Sequence, residues 1–249
     1  MARFLAAGAN SPADTPWRTP WLDRLPGCCA ICRAWPARTV CEDCAARFAP
    51  PTHRCRRCAL ALPGGPDTCG TCLRHPPPLD ACVACCGYDW PWPDPIGRFK
   101  FQGEPGLAAP LAALMRRAPA ARALLQAADH VLPMPLAPAR LRQRGFNQSL
   151  ELARRLAAPA KLAPRLLLRL RETAPQSGLA RAGRIANLRG AFGVPPAQAP
   201  RLAGRHVLLV DDVMTSGASL HSAALVLRGA GASQVSALVF ARTPPPEPA

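Results

Sequence analysis

Lysine is nearly missing from this chain. Of its 31 basic residues only Lys100 and Lys161 are lysines, and the rest are arginines, set against 15 acidic residues for a net charge of +16. Arginine offers phosphate a planar, two-pronged donor where lysine offers a point charge, so the bias suits polyanionic partners. Aromatic residues are scarce too, with one Tyr and seven Phe. A nucleic-acid partner would therefore be held by charge more than by base stacking. No apolar run approaches the roughly 20 residues that a spanning helix needs, and Phe4 to Ala7 is too short for the core of an export signal. These absences argue against membrane insertion and for a cytoplasmic setting. They also argue against a disulfide scaffold: the twelve cysteines read as metal ligands in a reducing compartment.

Eight of those cysteines fall into four Cys-x-x-Cys pairs between residues 28 and 72: Cys29 and Cys32, Cys41 and Cys44, Cys55 and Cys58, Cys69 and Cys72. Each pair puts two thiolates on one tight knuckle, and two knuckles complete a tetrahedral zinc site. Four pairs predict two closed, structural zinc sites. Sequential pairing is the simplest arrangement, and the spacing does not exclude interleaving. Cys28, Cys82, Cys85 and Cys86 are left over and are expected to be buried structural residues. His53 and His75 lie near the knuckles and are expected to be solvated or capping groups, not ligands.

The stiff run His75-Pro76-Pro77-Pro78 punctuates the chain. It suggests a leader over 1–26, a small cysteine-rich double zinc ribbon over 27–78, an α/β domain over 79–243 and a tail over 244–249. Within the α/β domain, Ala81 to Tyr88, Val131 to Leu136 and Gln234 to Ala241 read as strands, and Leu107 to Met115 has helical periodicity. Leu166, Leu168 and Leu170 alternate with arginines as in an edge or half-exposed strand. Ser149 is a candidate cap for a helix through Leu152 and Leu156. Arg181 to Arg189 reads as a short helix and Pro195 to Pro200 as a loop. Between Arg140 and Arg189 stand eleven Arg and one Lys against two Glu, so most of the net charge is one band.

The richest stretch is His206 to Ser219, HVLLVDDVMTSGAS. Val207 to Val210 has the length and type of a buried parallel strand. Asp211 and Asp212 follow, then Val213, Met214 and the small-residue turn Thr215-Ser216-Gly217-Ala218-Ser219. A helical pattern with Leu220, Ala223, Ala224 and Leu227 on one face comes next. The N–H groups and dipole at that helix start suit a phosphate dianion. The carboxylates suit vicinal hydroxyls and, through a metal, a second phosphate.

This stretch resembles the phosphoribosyl-pyrophosphate signature of type I phosphoribosyltransferases. The order of features along the chain is similar to the ComF family, with RFKFQG at 98–103, VLPMPL at 131–136, RQRGFNQS at 142–149, RETAPQSGL at 171–179, RIANLRGAF at 184–192 and VLLVDDVMTSGAS at 207–219. The resemblance implies a type I phosphoribosyltransferase-like parallel sheet with helices on both faces behind the double zinc ribbon. It implies that Asp211 and Asp212 hold ribose hydroxyls, as the catalytic pair if there is turnover, while Thr215, Ser216, Gly217, Ala218 and Ser219 cradle the 5′-phosphate and Val213 and Met214 belong to the same phosphoribosyl-pyrophosphate-binding stretch. Val131 to Leu136 would be the pyrophosphate loop and Arg171 to Gly178 a hood, with Lys100, Arg140 and Arg144 as phosphate contacts and magnesium accompanying phosphoribosyl pyrophosphate. The family's biology implies DNA uptake in natural transformation, with single-stranded DNA and a competence helicase or channel protein as partners. The alternative is an active phosphoribosyltransferase of nucleotide metabolism; no residue announces itself as a general base, and no acceptor pocket is legible.

Overall fold

The computed structural model describes residues 27–171 and 190–244. These fall in two compact units divided between Cys41 and Glu42. The leader, the tail beyond residue 244, the hood beyond Arg171 and the expected helix at Arg181 to Arg189 lie outside the described residues.

In the first unit, Gly27 and Ala37 exchange backbone hydrogen bonds of 2.9 and 2.8 Å, which closes a hairpin-like turn around Cys29. In the second, α1 (Glu42–Phe48) and α2 (Gly70–Arg74) precede β1 (Ala81–Gly87), α3 (Pro93–Phe101), α4 (Ala108–Met115) and α5 (Pro119–Ala127). Then come β2 (His130–Pro133), α6 (Pro138–Arg144), α7 (Gln148–Leu156) and a short antiparallel pair, β3 (Leu168–Arg169) with β4 (Phe192–Gly193). Strand β5 (His206–Met214), helix α8 (Ala218–Gly229) and strand β6 (Gln234–Arg242) complete the unit. No helix among the described residues is long and apolar enough to cross a membrane.

The main sheet has the order β1-β6-β5-β2 and is parallel throughout. Its inner strands are apolar along nearly their whole length because helices cover both faces. Val207, Leu209, Val235, Ala237 and Val239 pack with Leu220, Ala223, Ala224 and Leu227 of α8. Phe240 meets the edge of the Trp92 ring at 5.0 Å, and α4 and α7 lie against the same sheet. Each large side chain removed from water here contributes about 1.5–3 kcal/mol. Cys55, Cys58, Cys69 and Cys72 belong to the same core as Leu79, Cys82, Leu209 and α8. The second cysteine pair-of-pairs is thus built into the sheet domain's interior.

Three local readings change, and one unassigned motif finds its element. That motif is the run in which Phe99 and Phe101 alternate with Arg98 and Lys100: it lies in α3, which starts with Pro93 at its first turn and carries both basic residues in its last. Residues two apart on a helix point to opposite sides; Phe99 is fully buried and Phe101 is 70% exposed. Ser149 does not cap α7: the Asn147 side chain accepts from the N–H groups of Ser149 and Leu150 instead. Pro196–Arg201 is a 3-10 helix, not an irregular loop. Finally, Cys28 is exposed and Cys85 half-buried, while only Cys82 and Cys86 of the leftover cysteines are buried.

Candidate functional site

Parallel strands aim their carboxyl ends at one rim, the usual place for a ligand in such folds. The end of β5 carries Asp211 and Asp212 there. Each carboxylate is held differently. The Ser149 hydroxyl donates to Asp211 Oδ1 at 2.7 Å, and the Asp212 N–H donates to the same oxygen at 3.0 Å. Lys100 Nζ lies 3.0 Å from Asp212 Oδ1, in a pair whose side chains are 19% and 10% exposed. Burial, then the neighbouring Asp212 charge, pushes the Asp211 carboxyl up to about 7; Ser149, Lys100 and the Asp212 N–H pull the other way. A half-screened ion pair of this kind adds little to stability, because desolvation offsets its attraction.

The segment RQRGFNQS supplies the supports. Helix α6 ends at Gly145, in the left-handed region at φ 76°, which turns the chain sharply into α7. Asn147 caps α7 and also donates to the Met134 carbonyl at 3.1 Å, tying it to the loop after β2. Buried Gln148 accepts from Arg144 at 3.1 Å and donates to the carbonyls of Phe99 and Lys100 at 3.5 and 3.4 Å. It thereby sets the end of α3, and with it Lys100.

Arginines surround the acids. The Arg144 guanidinium stacks 4.9 Å from the Phe101 ring centroid and Arg169 lies 5.0 Å from that of Phe192. Burial lowers the pKa of Arg144; the Asp212 and Asp211 charges raise it and Arg140 lowers it. For Arg169 burial and Arg140 lower it while Asp211 raises it. Lys100, Arg140, Arg144 and Arg169 therefore share one electrostatic neighbourhood with the acid pair. A cation cluster partly stripped of water is the setting in which a pyrophosphate is bound most strongly. Arg169 was not singled out by sequence reading, since it looked like the polar face of an exposed strand.

The loop expected to take a phosphate follows. Gly217 adopts φ 79°, and a Cβ there would run into Met214 Cε and come within 2.9 Å of His221 Nε2. Glycine is required on both counts. The Ser216 hydroxyl accepts from the Ala218 N–H at 3.4 Å, and α8 begins at Ala218, the end of a helix at which N–H donors lie beyond its own hydrogen-bond ladder. Thr215 is exposed and Ser216 and Ser219 are half-buried, so the hydroxyls are reachable. The Met214 side chain is not: its sulfur accepts from Cys82 Sγ at 3.6 Å in the core. Val213 is half-buried beside it.

The cysteines form two sets, Cys29, Cys32, Cys41 and Cys44, and Cys55, Cys58, Cys69 and Cys72, with the ligand atoms of each set within 4.8 Å of one another. The pairing is sequential, not interleaved. The Sγ separations of Cys32 from Cys41 and of Cys58 from Cys69 are both 3.7 Å. Bonds of about 2.3 Å in a tetrahedron put sulfurs ~3.8 Å apart, so both sets could hold zinc. The knuckle amides favour thiolates: Cys41 N–H reaches Cys29 Sγ at 3.4 Å and Cys69 N–H reaches Cys55 Sγ at 3.3 Å. Burial raises both thiols, but those and neighbouring N–H bonds bring Cys29 down to about 6 and Cys55 to about 7. His53 is in neither set and pairs with Asp67 at 3.7 Å. No third set forms among the described residues from Cys82, Cys85 or Cys86.

A parallel sheet whose central strand ends in paired acids over a glycine-pinned helix start is the arrangement of a phosphoribosyl transferase domain, and the family model of that description matches residues 145–247. The chain belongs to the ComF family. It is 33% identical over 232 residues to DNA utilization protein YhgH of Salmonella typhimurium, covering 88% of this chain and 98% of the relative. Identity to the protein of the same name from Escherichia coli K12 is 31% over the same span. To Competence protein F of Haemophilus influenzae it is 32% over 195 residues, covering 76% of this chain and 84% of that one.

Proposed function

We propose that this chain binds phosphoribosyl pyrophosphate with magnesium at the acid pair and phosphate loop, binds single-stranded DNA along its arginine band, and acts in the cytoplasmic handling of incoming DNA. The observation that carries the reading is the pair of differently held carboxylates, Asp211 on Ser149 and Asp212 on Lys100, beside the Gly217 loop. Carboxylates in that position can accept from the ribose hydroxyls, and the α8 start can take the 5′-phosphate. Lys100, Arg140, Arg144 and Arg169 would meet the pyrophosphate, whose remaining charge magnesium would neutralise. The DNA half rests on the net charge and on the names of the relatives, DNA utilization protein and Competence protein F. Calorimetric titration with phosphoribosyl pyrophosphate and magnesium tests the pocket, with Asp211→Ala/Asp212→Ala as control. Saturable binding abolished by the double variant supports it, and no binding by the unaltered protein rules it out.

Turnover is the second reading, favoured by the Asp211 carboxyl at about 7, near the working pH of an acid–base group. The bond from the anomeric carbon to pyrophosphate would break with an acceptor, not yet identified, taking the ribosyl carbon. The arginines would stabilise the departing charge. Release of pyrophosphate on addition of an acceptor supports this reading; its absence across amine, base and single-stranded DNA acceptors leaves a binding protein.

A further inference from the structure

The guanidinium of Arg242, at the end of β6, reaches two places at once. Its Nε donates to the Cys58 carbonyl at 2.9 Å. Its Nη1 donates to the Met214 carbonyl at 3.3 Å, to the Thr215 carbonyl, and to the Thr243 carbonyl at 2.6 Å. Cys58 is one of the four cysteines of the second set. Met214 and Thr215 are the last strand residue and the first residue of the phosphate loop. The chain crosses 184 residues to bring Arg242 to Cys58 and 27 to bring it to Thr215.

We propose that Arg242 is a positioning residue that couples the second cysteine site to the phosphate loop. The inference rests on the reading of that loop as phosphate-binding. Its physical basis is the planarity of the peptide unit. In a trans peptide the C=O of one residue and the N–H of the next point in opposite directions. Holding the Met214 and Thr215 carbonyls toward Arg242 turns the N–H groups of Thr215 and Ser216 away from it. Those are the donors that a phosphate loop must present as a set. Arg242 is itself held on the Cys58 carbonyl, in the backbone of one of the two knuckles whose four thiolates would share an ion. A second contact runs in parallel: Cys82, in the same core as the knuckle, donates to Met214 Sδ, whose methyl group lies under Gly217. Only a planar fork can serve Cys58 and the loop together, since a lysine ammonium would have to choose one side.

The test uses the full zinc-loaded chain and three measurements: hydrogen exchange of amides 213–220, zinc content, and affinity for phosphoribosyl pyrophosphate with magnesium. Arg242→Lys and Arg242→Met are compared with the unaltered protein. The expected result is two zinc ions per chain retained, loop amides exchanging about tenfold or more faster, and affinity lower by about tenfold, the scale of one or two lost hydrogen bonds. Arg242→Lys should not restore the loop. Unaltered exchange and affinity in variants that keep both ions would overturn the proposal. Should the unaltered chain not bind phosphoribosyl pyrophosphate, the reading of the loop falls, while the exchange data still decide the coupling. Should both variants fail to fold, stepwise zinc removal from the unaltered chain decides it. Loop amides that open before the amides of β6 support the coupling; loop and β6 opening together overturn it.

Discussion

The Ser149 hydroxyl donates to Asp211 Oδ1 at 2.7 Å across 62 residues of chain. It pre-aims the carboxylate and leaves Oδ2 for a ligand. Because a hydrogen bond to the charged form favours that form, Ser149 is one of the groups keeping Asp211 from rising further. Ser149→Ala should weaken phosphoribosyl pyrophosphate binding by roughly 10- to 150-fold, the range for a bond to a charged group. It should also shift the pH at which binding is half-maximal upward. A fall in affinity with the pH midpoint unmoved would contradict this role.

The Asp211 carboxyl lies at about 7 in the folded chain against an ordinary 3.8. Between those values the folded state holds a proton that the unfolded chain has released. The group's contribution to stability is therefore full at low pH and declines as pH rises through about 7. Ligand binding as proposed should have the opposite sign, since ribose hydroxyls would donate to the carboxylate. Asp211→Asn, which keeps an acceptor for Ser149, should be more stable than the unaltered chain above pH ~7. The gain should be on the order of a few kcal/mol, because each tenfold change in proton affinity is worth ~1.4 kcal/mol. It should vanish near pH ~4, where both forms are neutral. Urea titrations of the two proteins across this range test the sign, and parallel stability curves would count against it.

The acid pair, the loop and the cysteine sets were legible because each is contiguous or nearly so in the chain. Val207 to Ser219 puts strand, acids, glycine and helix in one register, and Cys-x-x-Cys spacing needs no partner to be read. What the sequence hid is what folding brings from afar. Ser149, Arg169 and Arg242 carry no local mark of their partners. Arg242 lies one residue past the strand read at Gln234 to Ala241, and Arg169 is one arginine among many. Asn147 and Ser149 are both good cap residues two positions apart. The cap went to Asn147 while the Ser149 hydroxyl went to Asp211, a choice that only the position of β5 explains.

The two cysteine sets should differ in what their loss does. Cys55, Cys58, Cys69 and Cys72 share the sheet's core, whereas Cys29, Cys32 and Cys41 lie in the other compact unit. Cys55→Ser should release one zinc ion and lower the melting temperature of the sheet domain by about 10 °C or more, since structural zinc binding is folding free energy and ~1 kcal/mol moves Tm by several degrees in domains of this size. Cys29→Ser should release one ion and leave that transition within a few degrees. Equal destabilisation by the two variants would contradict the division. Both sites should empty as pH falls, because every ligand binds as thiolate.

Phe101 gives the arginine band an exposed ring beside the acid pair, 70% exposed and backed by Arg144. If single-stranded DNA runs over this face, two contributions should separate cleanly. Stacking a base on Phe101 is a salt-independent contribution, about 1–3 kcal/mol per base, whereas each phosphate contact adds about 0.7 to the slope of log affinity on log salt. Phe101→Ala should lower affinity for an oligothymidine by roughly 5- to 100-fold with the salt slope unchanged. Arg140→Ala and Arg142→Ala, one half-buried and one exposed on α6, should each lower the slope by about 0.7 if they touch phosphate. Fluorescence anisotropy at several salt concentrations resolves the two effects. A slope that falls with Phe101→Ala, or stays fixed when both arginines are removed, would place the DNA elsewhere on the molecule.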